Sequence, residues 1–594
     1  MTDETFSLDQ LIINALRQAI QDLGLEAKIT VEHPKDDKHG DYASNVALTI
    51  FPKLKIQNTQ LEVTNPRTLA ETIKTKLLEQ ENIKQWCQKI EVAGPGFLNF
   101  YLDNRILAEE IKKIISLGNC YGHNQTLKGK KVLCEFTDPN PFKEFHIGHL
   151  YSNAVGESLS RIFEAQGAEV KRANYFGDVG MHVAKAIWGI QQKLNKERLS
   201  LEDLETKDVA QRAKFLGQAY ALGAKAYEED EVAAQAIKKL NKLIYDQDQS
   251  IIKLYQKGKA WSLAYFETIY KRVGTKFDYY LPESEVGPLG LDYVKKQLAK
   301  GVFEESDGAI VFPGKKYGLH TRVFVNNQGL PTYEAKDLGL APVKYQKFPY
   351  DRSIIITANE INEYFKVILK VLSMIEPELA QRTTHLGHGM VKLPEGKMSS
   401  RTGNVVTGSW LLDEVKAAAV KQMQEGELKY SQTELDTISE MIAVGAIKYA
   451  FLKSNIGGDV IFDIGSSLSL QGNSGPYIQY THARCWSILE KAGQIETQNV
   501  LKDYQANDLE NSILRYLYRF PEVVLETAAQ FAPHLICTYL YELAQRYNSF
   551  YNKYRILQAE TEEEKNFRLI LTQAVNQILH NGLYLLGIQA PERM

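Results

Sequence analysis

The segment His146-Ile147-Gly148-His149 carries the residue types most suited to chemistry in this chain. It follows an apolar run at residues 131–136 that predicts a strand, and from Leu150 onward the apolar positions follow a helical period. A helix N-terminus attracts phosphate, and a glycine there lets a nucleotide lie against the backbone. The segment therefore predicts a nucleotide site, although paired histidines in isolation more often cap or pack a helix.

A second segment, residues 388–403, is rich in glycine, serine and basic residues and shows no apolar period. It contains Lys397-Met398-Ser399-Ser400-Arg401. Such a loop has no face to bury, so it predicts a phosphate-binding segment rather than part of a core.

The two segments together resemble the ATP-binding motifs H-I-G-H and K-M-S-K-S of the class I aminoacyl-tRNA synthetases. The first motif matches fully, whereas Ser400 replaces the second lysine of the other. Arginyl-tRNA synthetases commonly show this replacement, together with a lysine shortly before the first motif. Lys143 stands at that place in this chain.

Further stretches extend the resemblance to arginyl-tRNA synthetases over nearly the whole chain. They match segments of that family's N-terminal domain, its N-x-x-G-D-x-G turn, its C-terminal third and its final residues. The matching stretches are residues 39–45, 94–100, 174–180, 472–484 and 590–594.

The resemblance implies an ATP site built around the two motifs. In it the histidines steady the α-phosphate, Lys397 binds the pyrophosphate, the serines donate hydroxyls and the backbone of Met390 holds adenine. We expect Lys143 to supply the charge that is missing at Ser400. The implied catalytic residues are His146, His149, Lys397 and Lys143, and the implied ATP-binding residues are Gly148, Asn153, Met390, Ser399 and Ser400.

Arginine as a substrate demands carboxylates, because a guanidinium is planar, always charged and best bound by a carboxylate fork. Tyr333 and Asp337 match the family's Y-x-x-x-D segment, and their i,i+4 spacing places both on one face of a helix. The resemblance adds Glu283 as a second carboxylate for the guanidinium. It also implies that Glu135 and Asn140 hold the α-ammonium and carboxylate end.

One departure affects this pocket. Many family members have E-Q-x-x-H-F where this chain has residues 360–365. Asn359 and Asn362 are the candidates to replace the glutamine.

Composition restricts the class of protein. With 594 residues, 44% hydrophobic and 24% charged, the chain predicts about three to five soluble domains. No apolar run approaches the roughly 20 residues of a membrane span, and the acidic N-terminus lacks a signal pattern, so we expect a cytoplasmic protein without membrane contact. Five scattered cysteines predict neither disulfides nor structural zinc, and a net charge of −3 gives no global attraction to nucleic acid.

The pattern of elements predicts a multidomain α/β and α protein. We expect a small α+β N-terminal domain at residues 1–118 that contacts tRNA, and a Rossmann-type parallel-sheet catalytic domain at 119–466. Polar helices at about 190–275 form an insertion in that domain, and the catalytic domain also includes a helical region that contacts the tRNA stem. An all-α anticodon-binding bundle follows at 467–594, rich in tyrosines that could stack on bases.

The resemblance implies ligation of L-arginine to tRNA(Arg) through an arginyl-adenylate, with ATP and Mg²⁺ and no metal bound by the protein itself. By analogy with the family we expect a monomer. A smaller nucleotidyltransferase would lack the terminal domains, and a non-catalytic RNA-binding relative would have lost the histidines or Lys397. An error in the amino acid within class I is the most realistic alternative.

Overall fold

The computed structural model describes residues 8–54, 63–394, 406–426, 428–493 and 504–594. The predicted fold class is confirmed: a parallel-sheet α/β region lies between a small α+β region and a helical bundle. Lys397, Ser399 and Ser400 lie outside the described residues, so the predictions made for them stay predictions. The expected domain boundaries also stay predictions.

The N-terminal region packs helices on a three-stranded antiparallel sheet of order β1-β3-β2. Leu98, Phe100 and Leu102 alternate along β3 and are buried, as expected of a strand with one face toward a core. The elements are α1 (Leu8–Asp22), β1 (Tyr42–Ser44), α2 (Val46–Ile50), α3 (Pro66–Glu79), α4 (Glu81–Trp86), β2 (Cys87–Ala93), β3 (Phe97–Leu102) and α5 (Asn104–Leu117).

The central region contains a five-stranded parallel sheet of order β11-β10-β4-β5-β6. The chain runs from β4 to β5 and β6 on one side and later to β10 and β11 on the other. The strand order therefore reverses beside β4, and ligands of open α/β sheets bind at the carboxyl ends of the strands at such a point. The strands are β4 (Lys131–Glu135), β5 (Glu169–Phe176), β6 (Tyr279–Pro282), β10 (Arg352–Ala358) and β11 (Thr383–His388).

The helix after β4 begins at Ile147, three residues before the first apolar position that predicted it. It is buried along most of its length, and a Cβ at Gly156 would come within 2.1 Å of Phe136. This close approach fixes the helix against the sheet. The helices and short strands that cover the sheet or connect its strands are α6 (Ile147–Ala165), α12 (Glu283–Leu298), β7 (Glu304–Ser306), β8 (Ala309–Phe312), β9 (Arg322–Val325), α13 (Tyr333–Lys347), α14 (Asn362–Ile375), α15 (Pro377–Arg382) and β12 (Val391–Lys392).

The expected helical insertion lies between β5 and β6 and begins earlier than predicted, at Met181. Its first helix starts directly after a turn at Gly180, where φ is 115°, so no separate connector precedes it. The insertion packs around its own core of residues such as Ile187, Leu216 and Ile237. Its helices are α7 (Met181–Glu197), α8 (Leu201–Glu205), α9 (Val209–Glu229), α10 (Glu231–Tyr245) and α11 (Gln249–Val273).

The C-terminal region is helical and contacts the N-terminal region through buried polar groups. Arg515 pairs with the fully buried carboxylate of Asp41. The Tyr42 hydroxyl donates to Glu522 Oε1 at 2.5 Å, and His33 Nε2 lies 2.8 Å from Glu522 Oε2. The remaining elements are α16 (Gly408–Glu425), α17 (Gln432–Leu452), β13 (Val460–Ile461), α18 (Ile464–Ser467), α19 (Gly475–Ala492), α20 (Asp508–Leu517), α21 (Phe520–Gln530), α22 (His534–Lys553) and α23 (Glu562–Leu585).

Within the described ranges, no helix is both long enough and apolar enough to span a bilayer.

Candidate active site

A cavity of about 350 Å³ opens at the carboxyl ends of β4, β5, β6 and β10. It lies where the strand order reverses, which is the place that the fold favours for a ligand. All five residues predicted to bind arginine line this cavity: Glu135, Asn140, Glu283, Tyr333 and Asp337. The structure thus brings together residues that are up to about two hundred positions apart in the chain.

The cavity is strongly acidic, and three of its carboxylates already have a cationic partner. Lys344 Nζ donates to Glu135 Oε2 at 2.7 Å, with both side chains almost fully buried. Lys336 Nζ donates to Glu283 Oε2 at 2.6 Å, equally buried. Glu334 accepts from Arg322 at 3.1 Å.

Asp337 lines the same cavity and has a hydroxyl rather than a cation as its hydrogen-bond donor: Tyr364 donates to its Oδ2 at 2.5 Å. Burial raises the pKa of Asp337 to about 7, against the effect of this hydrogen bond, and Glu135 raises it further. Burial and Glu135 likewise raise the pKa of Asp138, whose Oδ1 accepts from Tyr175 N at 2.9 Å. The cavity therefore has a deficit of positive charge that a cationic ligand would fill.

The loop that leads from β4 to the first motif has an unusual backbone. Thr137, Asp138 and Phe142 all have positive φ values, of 78°, 49° and 67°. Each such non-glycine residue costs on the order of 1 kcal/mol and persists only where the surroundings hold it. Here Thr137 N donates to Ser152 Oγ and Phe142 N donates to Ser262 Oγ, both at 2.9 Å. The loop is therefore held in the shape that aims Asp138 and Asn140 into the cavity.

The two histidines of the first motif stack at the N-terminus of α6, with ring centroids 3.6 Å apart. Burial, followed by the charge of Lys143, lowers the pKa of His146 to about 4. Burial and then His146 lower the pKa of His149 well below its usual value. Both rings are therefore neutral near pH 7, so they can contact a nucleotide as hydrogen-bonding groups rather than as cations.

The hydrogen bond of His149 defines its tautomer. Its Nδ1 accepts from His146 N at 3.1 Å, so the proton of the neutral ring lies on Nε2. His149 can therefore offer an N–H donor to a phosphate oxygen without carrying a charge.

Lys143 is the cation nearest to the histidines in sequence, and it is half-buried. Its Nζ lies 5.3 Å from the ring centroid of Tyr220. Burial and the neighbouring Lys185 lower the pKa of Lys143, whereas Glu283 opposes this shift. Within the described ranges its ammonium contacts this ring rather than a carboxylate, which makes Lys143 a candidate for binding an anionic ligand.

Residues on both sides of the second motif contact the first motif or the helix α6 that begins in it. Ile147 N donates to Val406 O at 3.1 Å, and Gly408 N donates to Phe145 O at 2.7 Å. On the other side, the ring of His388 packs on Tyr151 with centroids 4.6 Å apart. The ends that flank residues 395–405 thus lie beside α6, which brings the neighbourhoods of the two motifs together.

Two residues predicted to bind ATP have other contacts in the structure. Asn153 is buried, with its amide donating to Thr137 Oγ1 and its Oδ1 accepting from Thr275 Oγ1. Its side chain is used inside the protein, so the geometry does not support contact with ATP. Met390 N donates to Asp459 Oδ1 and its carbonyl accepts from Val460 N, which leaves only a second carbonyl lone pair for adenine.

The glutamine of the family pattern has no amide replacement in the cavity. Ile361 stands in its place and lines the cavity together with Tyr364. Asn362, one of the two proposed replacements, instead lies against Gly387, where a Cβ would come within 2.1 Å of its Oδ1. Neither Asn359 nor Asn362 is among the lining residues of this cavity.

Sequence reasoning missed Lys344, Lys336 and Tyr364. A signal existed for Lys344, because it lies seven residues after Asp337 on the same helical face of α13. Tyr364 lies where the family pattern has histidine, and that departure marked the position without revealing its contact with Asp337.

A second large cavity, of about 1040 Å³, lies in the C-terminal bundle between α19, α22 and the chain end; we call it the C-terminal groove. It is lined by aromatic and basic side chains, among them Trp486, Tyr551, Arg484, Lys553 and Arg555. The Arg484 guanidinium lies 4.5 Å from the ring centroid of Tyr551. Aromatic faces interleaved with cations are the chemistry that single-stranded nucleic acid requires.

Comparisons with known proteins cover nearly the whole length of the chain. The family model "Arginyl tRNA synthetase N terminal domain" matches residues 8–102, "tRNA synthetases class I (R), catalytic domain" matches 110–464, and "DALR anticodon binding domain" matches 478–594. The arginine–tRNA ligase of Treponema denticola is 32% identical over 592 residues, covering 98% of both chains. That of Fusobacterium nucleatum is 33% identical over 568 residues, 94% of both chains.

A solved structure also matches over nearly the full length. The arginyl-tRNA synthetase of Thermus thermophilus superposes with a TM-score of 0.80 at 25% identity, covering 99% of this chain and 100% of the other. The likeness therefore extends to the arrangement of all three regions.

Proposed function

Because the chain belongs to the class I arginyl-tRNA synthetases, we propose that it ligates L-arginine to tRNA(Arg) with ATP. The arginine carboxylate attacks the α-phosphorus of ATP, which forms arginyl-adenylate and releases pyrophosphate. The 2′-hydroxyl of the terminal adenosine then attacks the arginyl carbonyl, and AMP leaves. The cavity at the carboxyl ends of the sheet is the proposed site of both steps.

The observation that carries this proposal is the charge deficit of the cavity. Asp337 is buried at its wall and has a tyrosine rather than a cation as its hydrogen-bond donor. A guanidinium supplies a permanent positive charge with several donors in one plane, which suits a buried carboxylate. Glu283, Glu135 and Asn140 line the same cavity.

The proposed ATP site combines neutral donors with cations. His146 and His149 donate hydrogen bonds near the α-phosphate, where charge develops on the leaving pyrophosphate. Lys143 adds a positive charge beside them, and Gly148 keeps the helix N-terminus open to the nucleotide. Lys397, Ser399 and Ser400 remain part of the proposal on the strength of the sequence motif alone.

Magnesium enters the proposal as the partner of ATP. In the described ranges, no group of three or more histidine, cysteine or acidic side chains is arranged to hold a metal ion. We propose no protein ligand for Mg²⁺. A monomeric state and a cytoplasmic location also stay predictions.

Charging assays with each standard amino acid test the proposed function. We expect the protein to attach arginine alone to tRNA(Arg) in the presence of ATP and Mg²⁺. Charging of a different amino acid, or release of pyrophosphate without arginine, would contradict the proposal.

Lys143→Ala is expected to lower the rate of arginine-dependent ATP–pyrophosphate exchange about tenfold. Loss of one phosphate-binding cation costs at least about 1.4 kcal/mol in the transition state. Lys185→Ala is a matched control, since it removes a nearby lysine whose Nζ lies over the Tyr227 ring. A rate within about twofold of wild type for Lys143→Ala would remove this residue from the ATP site.

We further propose that the C-terminal groove binds unpaired bases of the anticodon loop. Trp486→Ala is expected to weaken binding of tRNA(Arg) about tenfold or more, because stacking on an aromatic side chain contributes about 1 to 3 kcal/mol per base. Filter binding or anisotropy with tRNA(Arg) measures this effect. Leu525→Ala is the control, since Trp486 and Leu525 are similarly exposed, 38% and 37%, and Leu525 lies outside the groove. Equal affinities of the two variants would exclude Trp486 from the RNA contact.

A further inference from the structure

The arginine cavity shares a wall with a third cavity, of about 600 Å³, between the insertion helices and α12. Glu283 lines both cavities. The far side of this wall includes Tyr255 and Lys259 of α11 together with Ser284. A single layer of side chains therefore separates the insertion from the proposed arginine site.

Asp178 is fully buried and bonds to Tyr255, Lys259 and Ser284, which line the third cavity. Its Oδ1 accepts from Ser284 N at 2.9 Å, and its Oδ2 accepts from Ser284 Oγ at 2.7 Å. The same Oδ2 accepts from Tyr255 OH at 2.9 Å and from Lys259 Nζ at 2.6 Å. Asp178 thus joins the first turn of α12 to the insertion, and residue 283 is the first residue of that helix.

The residue before Asp178 contacts the other side of Glu283. Gly177 N donates to Asn140 Oδ1 at 2.6 Å, and a Cβ at Gly177 would come within 3.0 Å of Glu283 Oε1. His182 Nε2 lies 2.8 Å from Gly177 O, and burial lowers the pKa of His182 to about 4, so the neutral ring donates this bond. The turn Gly177-Asp178 therefore sets the positions of both Asn140 and Glu283.

We propose that Asp178, held by Tyr255 and Lys259 of α11, is a positioning residue that sets Glu283 for arginine. The insertion would then affect arginine binding by holding Asp178 and, through it, the Glu283 carboxylate, without touching the substrate. This inference rests on the proposed function, and it gives the N-x-x-G-D-x-G turn and the insertion a physical role.

The direction of the effect follows from the contacts. Without Lys259, the buried Asp178 carboxylate loses the cation that favours its charged form, and its bonds to Ser284 weaken or rearrange. The first turn of α12 then shifts, and Glu283 shifts with it between Lys336 and the Gly177 backbone. A misplacement of a binding group by even a fraction of an ångström weakens the bonds that it makes to a ligand.

Lys259→Met is expected to raise the KM for arginine tenfold or more while the KM for ATP and kcat change less than threefold. Exchange assays with the full-length protein and bound tRNA(Arg) measure these constants. Lys253→Met is the matched control, because Lys253 lies on the same helix as Lys259 and its ion pair with Glu202 of α8, at 3.0 Å, has two exposed partners. Tyr255→Phe removes a single hydrogen bond to Asp178 and is expected to raise the arginine KM by about threefold.

A double variant tests whether the effect passes through Glu283. In a Glu283→Gln background, Lys259→Met is expected to change the arginine KM less than twofold, because the positioned carboxylate is already absent. An undiminished effect in that background would overturn the proposal. The proposal would also be overturned if Lys259→Met and Tyr255→Phe had the same arginine KM as the control Lys253→Met. If Lys259→Met does not fold, Tyr255→Phe with and without Glu283→Gln decides the question. Wild-type charging of arginine is measured in parallel, so failure of the proposed function is distinguished from failure of this inference.

Discussion

Asp337→Asn is expected to raise the arginine KM about a hundredfold and, at the same time, to stabilise the folded protein above pH 7. The affinity loss follows from removing a buried carboxylate from a guanidinium, a change worth about 3 kcal/mol. The gain in stability follows from the pKa of Asp337, which burial raises to about 7. An ionised Asp337 in the empty cavity has a high free energy that the neutral asparagine avoids.

The sign of the stability effect with pH follows from linkage. A carboxyl group whose pKa is higher in the folded than in the unfolded protein contributes fully below the unfolded value, near 3.8, and loses that contribution as pH rises to about 7. The free energies of unfolding of the variant and the wild type therefore begin to differ one to two pH units above the unfolded pKa of about 3.8. The difference reaches at most about 4 kcal/mol above pH 7, by the usual conversion of a pKa shift.

Thermal unfolding at pH 5 and pH 8, combined with arginine KM at pH 6 to 8, measures both effects. The wild-type KM is expected to fall as pH rises through 7, since binding requires the ionised carboxylate, and the variant KM is expected to be independent of pH in that range. Asp436→Asn on α17 is the control, because that carboxylate is exposed and lies on the protein surface. A wild-type KM that is flat between pH 6 and 8 would contradict the assignment of Asp337 to the guanidinium.

Lys344→Met is expected to destabilise the protein by about 3 to 5 kcal/mol, the largest stability effect that we predict. Lys344 and Glu135 form an ion pair in which both side chains are at most 3% exposed. Removal of one partner leaves an uncompensated charge in the core, which costs far more than the loss of a surface pair. Denaturant or thermal unfolding of the full-length protein measures the change.

Two further variants separate stability from function. Lys366→Met breaks an exposed pair with Glu363 on α14 and is expected to cost less than about 1 kcal/mol. Glu135→Gln added to Lys344→Met removes the orphaned charge, so we expect most of the lost stability to return while the arginine KM stays high. If Lys344→Met behaved like Lys366→Met, the pair would be solvated rather than buried.

Much of the site could be predicted because its residues lie in short linear motifs. The first motif, Glu135 and Asn140 fall within fifteen residues of one another, and Tyr333 with Asp337 shares one helical face. The parallel sheet was predictable from the alternation of apolar runs with helical stretches. The early start of the insertion was not, because α7 follows β5 after one tight turn.

The charges of the site could not be predicted from residue types. The protonation state of the two histidines does not follow from their sequence, because it depends on the stacking and burial that make them neutral. Asn153 appeared suitable for ATP because its local sequence does not reveal that Thr137 and Thr275 already satisfy its amide. Lys344 pairs with a residue 209 positions away, and such a contact exists only once the sheet has formed.

The contact between the N-terminal region and the bundle has a consequence for biosynthesis. Asp41 is synthesised early, and its partner Arg515 follows 474 positions later. Glu522 lies 489 positions after His33 and 480 positions after Tyr42. During translation the Asp41 carboxylate can accept from Leu102 N, 61 positions later, but it lacks its arginine partner until the bundle emerges. The N-terminal region leaves the ribosome first, but its contact with the bundle forms last. A chain that stops before residue 515 cannot form the pair between Asp41 and Arg515.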